Sequence, residues 1–287
     1  MLTGEGSIFQ TPYETIRRNN RRSSITRGHI IHRLLYSLQI IRAQAMVQKL
    51  IQENAGITLG YWGIRGLGQP IRYLLVCAGV PFSEIRTGVL QDGTLLNKEE
   101  EDEDWANVRS TLTMPFPNLP FLIDSSGNTP VQLTQSNAIL RYLAGRLDFY
   151  GDSESERTEI DVLQDEAYDF RNEIIQTAYT PAEEYQALYQ HFSTHTLPRY
   201  LNNFENYLTA REEKNFFVGT RLSLVDFVLY ELFRQMTLMV PDSITDTSRP
   251  LLFRYINAFE ETPRIASYLK SENYIERPVN SPWASFS

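Results

Sequence analysis

The sequence predicts a small mixed α/β sheet domain followed by an all-helical domain, with a basic extension ahead of both. Three observations carry this. Between residues 57 and 145, short apolar runs and two helical patterns fall in the order strand, helix, strand, loop, strand, strand, helix, which fits one small mixed sheet with helices packed on it. From about residue 150 onward the apolar spacing is helical nearly throughout. Residues 1–56 stand apart in charge: they carry eight Lys/Arg and three Asp/Glu, whereas the remainder of the chain is strongly acidic within a total of -8.

A chain of 287 residues holds one large domain or two small ones. No apolar run approaches the ~20 residues that span a bilayer, and no membrane partner is expected. Cys77 is the single cysteine. An internal disulfide is therefore impossible, a secreted disulfide-built scaffold is excluded, and a reducing compartment is the natural home. The acidic body lacks the clustered cations that phosphate contacts need, so nucleic acid is excluded in favour of small-molecule or protein partners.

The extension has no acidic residue between Glu14 and Glu53, and it holds Arg17, Arg18, Arg21, Arg22, Arg27, Arg33 and Arg42 with an apolar helical spacing from Ile31 to Ile41. Arg- and Ser-rich, acid-poor amphipathic leaders are the pattern of organelle transit peptides. The competing reading, which we adopt, is a functionless or disordered extension ahead of an internal Met46.

The body opens on Thr58-Leu59-Gly60-Tyr61-Trp62-Gly63-Ile64-Arg65-Gly66-Leu67. A short apolar strand runs into Tyr61 and Trp62, and Gly63 and Gly66 permit a tight path into a helix with Ile71, Leu74, Leu75 and Ala78 on one face. Tyr61 thus stands at a strand's carboxyl end beside a helix N-terminus, where ligands of open α/β sheets bind and where positive potential gathers. A phenol there can donate to a developing anion. A strand follows in 82–86, and the acidic run 99–104 is expected to be a solvated loop. Pro117 and Pro120 bracket a stiff turn, with Leu119 held extended and its amide and carbonyl expected free for an extended peptide. A cis bond is plausible at Pro120. Residues 125–128 turn into a second strand at 130–133. Ser136 or Thr134 is expected to cap the next helix, whose free amides also suit a carboxylate.

Residues 151–157 read as a polar linker. Ile160, Leu163, Ala167, Phe170, Ile174 and Ala178 line one long helix; Tyr185 to Phe192 and Leu197 to Leu208 mark two more. Ser223-Leu224-Val225-Asp226 has the form of a capping box and opens the most apolar helix. Leu251 to Phe259 gives another, a short helix surrounds Ile265, and the tail from Arg277 is irregular. His191 and His195 lack an acidic partner in register and read as surface residues, so no metal is expected. No phosphate-binding glycine loop is present.

In combination these stretches become specific. Leu59-Gly60-Tyr61-Trp62-Gly63-Ile64-Arg65-Gly66-Leu67, Phe116-Pro117-Asn118-Leu119-Pro120, Gln135-Ser136-Asn137-Ala138-Ile139-Leu140-Arg141-Tyr142, Phe217-Val218-Gly219 and Leu224-Val225-Asp226-Phe227 occur in the order found in mu-class glutathione S-transferases, and the chain from Thr58 to the C-terminus resembles that family. The last stretch looks most like arthropod, mite-like members. The resemblance implies a thioredoxin-like glutathione-binding domain over 57–145, an all-helical electrophile-binding domain over 152–287, a homodimer, a cytoplasmic location, and reduced glutathione as co-substrate with no permanently bound cofactor. It makes Tyr61 the catalytic residue that favours the glutathione thiolate, the nucleophilic form of a thiol.

Position by position, the resemblance sets Trp62 beside the tripeptide, Leu67 against the thiol, and Trp105 and Arg109 at the glycyl carboxylate. Asn118 and Leu119 bind the peptide backbone, Gln135 and Ser136 hold the γ-glutamyl carboxylate, and Asp169 reaches the glutamyl amine of the other subunit's ligand. Tyr179 faces the electrophile, Phe116 is an aromatic key for the neighbouring subunit, and Arg141 lies near the two-fold axis. There are departures. Asp102 stands where many members have a glutathione-site arginine, the acidic stretch is longer, and Asn172 and Ile175 replace pocket residues. The implied activity is conjugation of glutathione to hydrophobic electrophiles, as in detoxification. A non-catalytic ligand-binding protein on the same fold and a glutathione-dependent isomerase are the alternatives.

Overall fold

The computed structural model describes residues 56–90, 94–211 and 215–287. The basic extension, with both readings of it, lies outside these residues.

Four strands form one sheet in the order β2-β1-β3-β4: β1 (Ile57–Trp62), β2 (Phe82–Thr87), β3 (Phe121–Asp124) and β4 (Val131–Thr134). β1 runs parallel to β2, with Tyr61 opposite Arg86, and antiparallel to β3, with Leu59 opposite Leu122. A parallel pair needs a crossover, and α1 (Gln69–Ala78) supplies it. The central strand is buried on both faces, so β1 reads as a near-continuous apolar run rather than an alternation. Leu59 and Leu122 pack under α1 and under α3 (Ser136–Arg146). On the other face Phe121, Ile123 and Ile85 pack with Val108 of α2 (Lys98–Ser110). Gly60 makes this possible, because a Cβ there would lie 2.0 Å from the Phe121 ring. The Leu119–Pro120 peptide is cis.

The acidic run 99–104 is not the expected loop: it lies in α2. Asn97 caps the helix, its side chain accepting from the Glu100 amide while Glu100 accepts from the Asn97 amide. Carboxylates in a first turn are favoured by the helix dipole, which turns a run that looks like solvated loop into a helix start. The polar linker is likewise shorter than expected, since α4 (Glu154–Ala178) begins inside it on a Ser153 cap.

After α4 come α5 (Ala182–His191), a π-helical turn at Phe192–Thr196, α6 (Leu197–Thr209), α7 (Leu224–Met239), α8 (Pro250–Glu260) and α9 (Pro263–Leu269). α7 is the axis of this half: 13 of its 16 residues are buried. The capping box forms as predicted, and the Asp226 carboxylate accepts from the Ser223 amide at 2.8 Å and from the Phe217 amide at 3.0 Å. Burial raises the Asp226 pKa to about 6, against the pull of those donors. The histidines 191 and 195 stack on each other at the exposed surface.

The two halves share one apolar core. Tyr73 of α1 meets Tyr230 of α7 edge-on at 5.3 Å and Phe259 of α8 at 5.7 Å. Beside them Arg65 and Glu231, each 1% exposed, form a bidentate pair at 3.1 and 2.7 Å. This pair locks the turn after β1 onto α7 and so fixes where Tyr61 sits relative to the helical half.

Candidate active site

β1 ends at the site. The Tyr61 hydroxyl, almost wholly buried, accepts from the Leu67 amide at 2.9 Å. Leu67 belongs to the single 3-10 turn Gly66–Gly68 that leads into α1. Gly66, at φ 36°, must be glycine: a Cβ there would lie 2.5 Å from the Tyr61 oxygen. Because that oxygen accepts from the backbone, its own proton remains to be donated. Burial raises the Tyr61 pKa, while the Leu67 amide and the positive charge of Arg171 pull the other way. At neutral pH the group is therefore a neutral O–H donor in a dry setting.

Tyr61 shares an apolar cluster with Trp62, Leu67, Trp105 and Leu119. Trp62 and Trp105 meet edge-on at 6.3 Å, so the misread helix α2 delivers Trp105 to the site. A cleft of about 120 Å3 opens at Tyr61 and Trp62 and is walled by Tyr179, Glu101 and Ser281. The Tyr179 hydroxyl accepts from the Ser281 amide at 2.9 Å, and the Trp283 indole donates to Glu101 at 2.9 Å. The irregular tail is thus a wall of the cleft. A second, narrower cleft between the halves brings Leu67 and Ser136 together with Arg171 and Glu231.

At the start of α3, neither Ser136 nor Thr134 caps the helix. Gln135 occupies the cap position at φ 73°, its side chain exposed and making no cap hydrogen bond. Thr134 is engaged elsewhere, its hydroxyl directed to the carbonyls of Asn118 and Pro120. No side chain caps the start of α3, and a non-glycine residue at positive φ is the kind of backbone outlier that clusters at functional sites. The Leu119 amide is not free as expected: it donates to the Asn118 side chain at 2.9 Å. A peptide pairing with Leu119 would have to displace that side-chain oxygen.

The remaining candidates stand apart from the clefts. Arg109 and Asp169 are exposed. Phe116 is 83% exposed at φ 53°. Arg141 pairs with Asp161 at 2.9 Å and lies 3.7 Å from Asp165. Asp102 points outward and pairs with Lys98, so it does not oppose an anion in the cleft. Asn172 is exposed and Ile175 half-buried.

Sequence reasoning missed Arg171, Glu101, Ser281 and Trp283. Arg171 had a legible signal: it lies four residues after Ala167 and three before Ile174, a cation on the buried stripe of α4. Burial lowers its pKa, yet a guanidinium stays charged. Among the described residues no carboxylate pairs with it. The tail contacts had no signal, because irregular chain has no period.

Among the described residues no helix is long and apolar enough to cross a membrane, and no group of three His, Cys, Asp or Glu is placed to hold a metal. Residues 57–145 match the family described as Glutathione S-transferase, N-terminal domain, and residues 168–272 match Glutathione S-transferase, C-terminal domain. The chain is 34% identical over 225 residues to Glutathione S-transferase 2 of Gallus gallus, covering 78% of this chain and 94% of that protein. It is 31% identical over 235 residues to Glutathione S-transferase Mu 3 of Homo sapiens, covering 81% and 96%, and 33% identical over 229 residues to Glutathione S-transferase Mu 1 of Mus musculus, covering 80% and 97%. Among solved structures, a pi-class glutathione S-transferase of Onchocerca volvulus superposes with a TM-score of 0.66 at 26% identity, covering 80% of this chain and 99% of that one. With a buried tyrosine donor at the end of β1, both family-domain matches and these relatives, the chain belongs to the glutathione S-transferase family, and within it to the mu class.

Proposed function

We propose that this protein conjugates reduced glutathione, through its sulfur, to hydrophobic electrophiles, with residues 57–145 binding the tripeptide and residues 152–287 forming the electrophile side. The observation that carries the reading is the Tyr61 hydroxyl: buried, tied through its oxygen to the Leu67 amide, and left with one proton to give. Donated to the glutathione sulfur, that proton favours the thiolate, and the positive field of Arg171 acts in the same sense. Ser136 and the exposed Gln135 present the start of α3 to the γ-glutamyl carboxylate. Trp62, Trp105, Arg109, Asn118 and Leu119 flank the peptide, and Tyr179 faces the electrophile.

The protein acts as a cytoplasmic homodimer in detoxification. Phe116, projecting at 83% exposure from a proline-braced turn, is the key that enters a second copy, Arg141 lies near the axis between copies, and Asp169 completes the neighbour's site. The test is conjugation of a chloronitrobenzene electrophile in the presence of reduced glutathione. Turnover above the uncatalysed rate supports the reading. Its absence in a folded protein, across several electrophile classes, overturns it. Sedimentation tests the dimer, which a Phe116→Ser change should split.

A further inference from the structure

Among the described residues, the cleft at Tyr61 has one charged lining residue, Glu101. Its carboxylate receives the Trp283 indole at 2.9 Å, and its stem passes over Gly88, 3.3 Å from where a Cβ would stand. The side chain is therefore pinned from two sides over the mouth of the cleft. The cations that could offset its charge, Lys98 and Arg171, are each engaged elsewhere. Lys98, one turn earlier on α2, pairs with Asp102. Asp104, one turn later, takes the Gly88 amide at 3.0 Å and adds negative charge. Across the cleft, Tyr179 and Ser281 are uncharged and bonded to each other. Arg171 lines the second cleft and its charge reaches Tyr61 and Tyr179, so it acts at the sulfur end while Glu101 acts beside Trp283.

We propose that Glu101 sets the charge selectivity of the electrophile pocket: the protein takes neutral and cationic electrophiles and discriminates against anionic ones. The proposal rests on the transferase reading above. The reaction compared is one and the same. The thiolate sulfur attacks the ring carbon bearing chlorine, the C–S bond forms, the C–Cl bond breaks, chloride leaves with the electron pair, and the thiol proton passes to solvent.

The test compares 1-chloro-2,4-dinitrobenzene with 4-chloro-3,5-dinitrobenzoate, which adds one carboxylate. Glu101→Gln keeps an acceptor for the Trp283 indole and removes the charge. It should raise the benzoate-to-neutral ratio of kcat/KM by roughly three- to tenfold, the range for one partly screened charge. Trp283→Phe, which removes the hydrogen bond and keeps the charge, should leave that ratio within about twofold of wild type. In parallel, binding of the two glutathione conjugates is read by tryptophan fluorescence, and the same ratio should move in the same direction. An unchanged ratio in Glu101→Gln by both readouts overturns the proposal. Absence of turnover with either electrophile, while the conjugate-binding ratio still shifts, overturns the transferase reading and leaves the charge selectivity standing.

Discussion

Replacing Tyr61 by phenylalanine removes one oxygen from a buried cluster. It also deletes both the proton available to the glutathione sulfur and the acceptor of the Leu67 amide. A hydrogen bond to a charged group is worth about 1.5–3 kcal/mol, which at 1.36 kcal/mol per unit lowers a thiol pKa by about one to two units. A free thiol near ~8.5 is about 3% thiolate at pH 7, whereas one at ~7.5 to ~6.5 is roughly 24% to 76% ionised. The variant should therefore lose about eight- to 25-fold in thiolate population at pH 7. The more basic thiolate is intrinsically the better nucleophile, with a Brønsted slope of about 0.4–0.5, and returns part of that loss. The net fall in kcat/KM at pH 7 is then about 2.5- to fourfold, and it should vanish or reverse above about pH 9, where both proteins hold largely ionised sulfur and the variant's is the more basic. The assay is kcat/KM against pH for both proteins, together with the ultraviolet thiolate absorbance of the bound tripeptide. If the apparent pKa of bound glutathione is the same in both, or if the deficit persists undiminished at high pH, the assignment of Tyr61 as thiolate stabiliser is refuted.

Arg171→Leu should raise the apparent pKa of bound glutathione by roughly half a unit to one unit, because it deletes the cation facing Tyr61; an unmoved pH profile would show that its field does not reach the sulfur. Glu231→Leu strands the buried Arg65 guanidinium and the Gln235 amide. It should cost about 3–5 kcal/mol by chemical denaturation, while the double Arg65→Met/Glu231→Leu variant recovers at least half of it; equal loss in both would mean the pair is not the source. Asp226→Asn replaces one of the two acceptor oxygens by an NH2 group, which faces either the Phe217 amide or the Ser223 donors, and should destabilise by about 2–4 kcal/mol. The folded pKa of Asp226, about 6, lies above the unfolded value. Its contribution is therefore full below about pH 4 and is lost as pH rises through 6, so the stability gap between wild type and variant should narrow over that window by roughly 2–3 kcal/mol. Parallel stability curves from pH 4 to 7 would refute this.

Apart from α2, the strand and helix order was legible because those elements announced themselves locally. β1 is apolar apart from Thr58, as befits a strand buried on both faces. The stripe from Ile160 to Ala178 keeps the helical period along most of a 25-residue helix, and Ser223 to Asp226 spells its own cap. The failures share a cause. In α2 the helix is set by the Asn97 cap and by carboxylates placed favourably in the first turn, so its signal is electrostatic, and an apolar-period search passes over it. At Gln135 and Leu119 the sequence shows which groups have hydrogen-bonding capacity, whereas the backbone path decides which of them are occupied. Trp283 meets Glu101 across 182 residues of chain, and nothing local to either residue encodes the meeting. Tyr61 was legible because its neighbours, two glycines and a helix start, are sequential.

The start of α3 has a consequence for how the protein persists. A helix that begins on Gln135 at φ 73° carries a local penalty of order 1–3 kcal/mol, and no side chain of its own finishes the first turn. A carboxylate arriving there is a structural part delivered from outside. Occupancy at a hundred times the dissociation constant contributes about 2.7 kcal/mol to the folded state, comparable to what a good built-in cap and a relaxed backbone would supply. If the tripeptide carboxylate binds at this helix start, as proposed, the folded population becomes a function of its concentration. When the tripeptide is plentiful the strain is masked; when it is depleted, the protein loses both its nucleophile and a share of its resistance to unfolding.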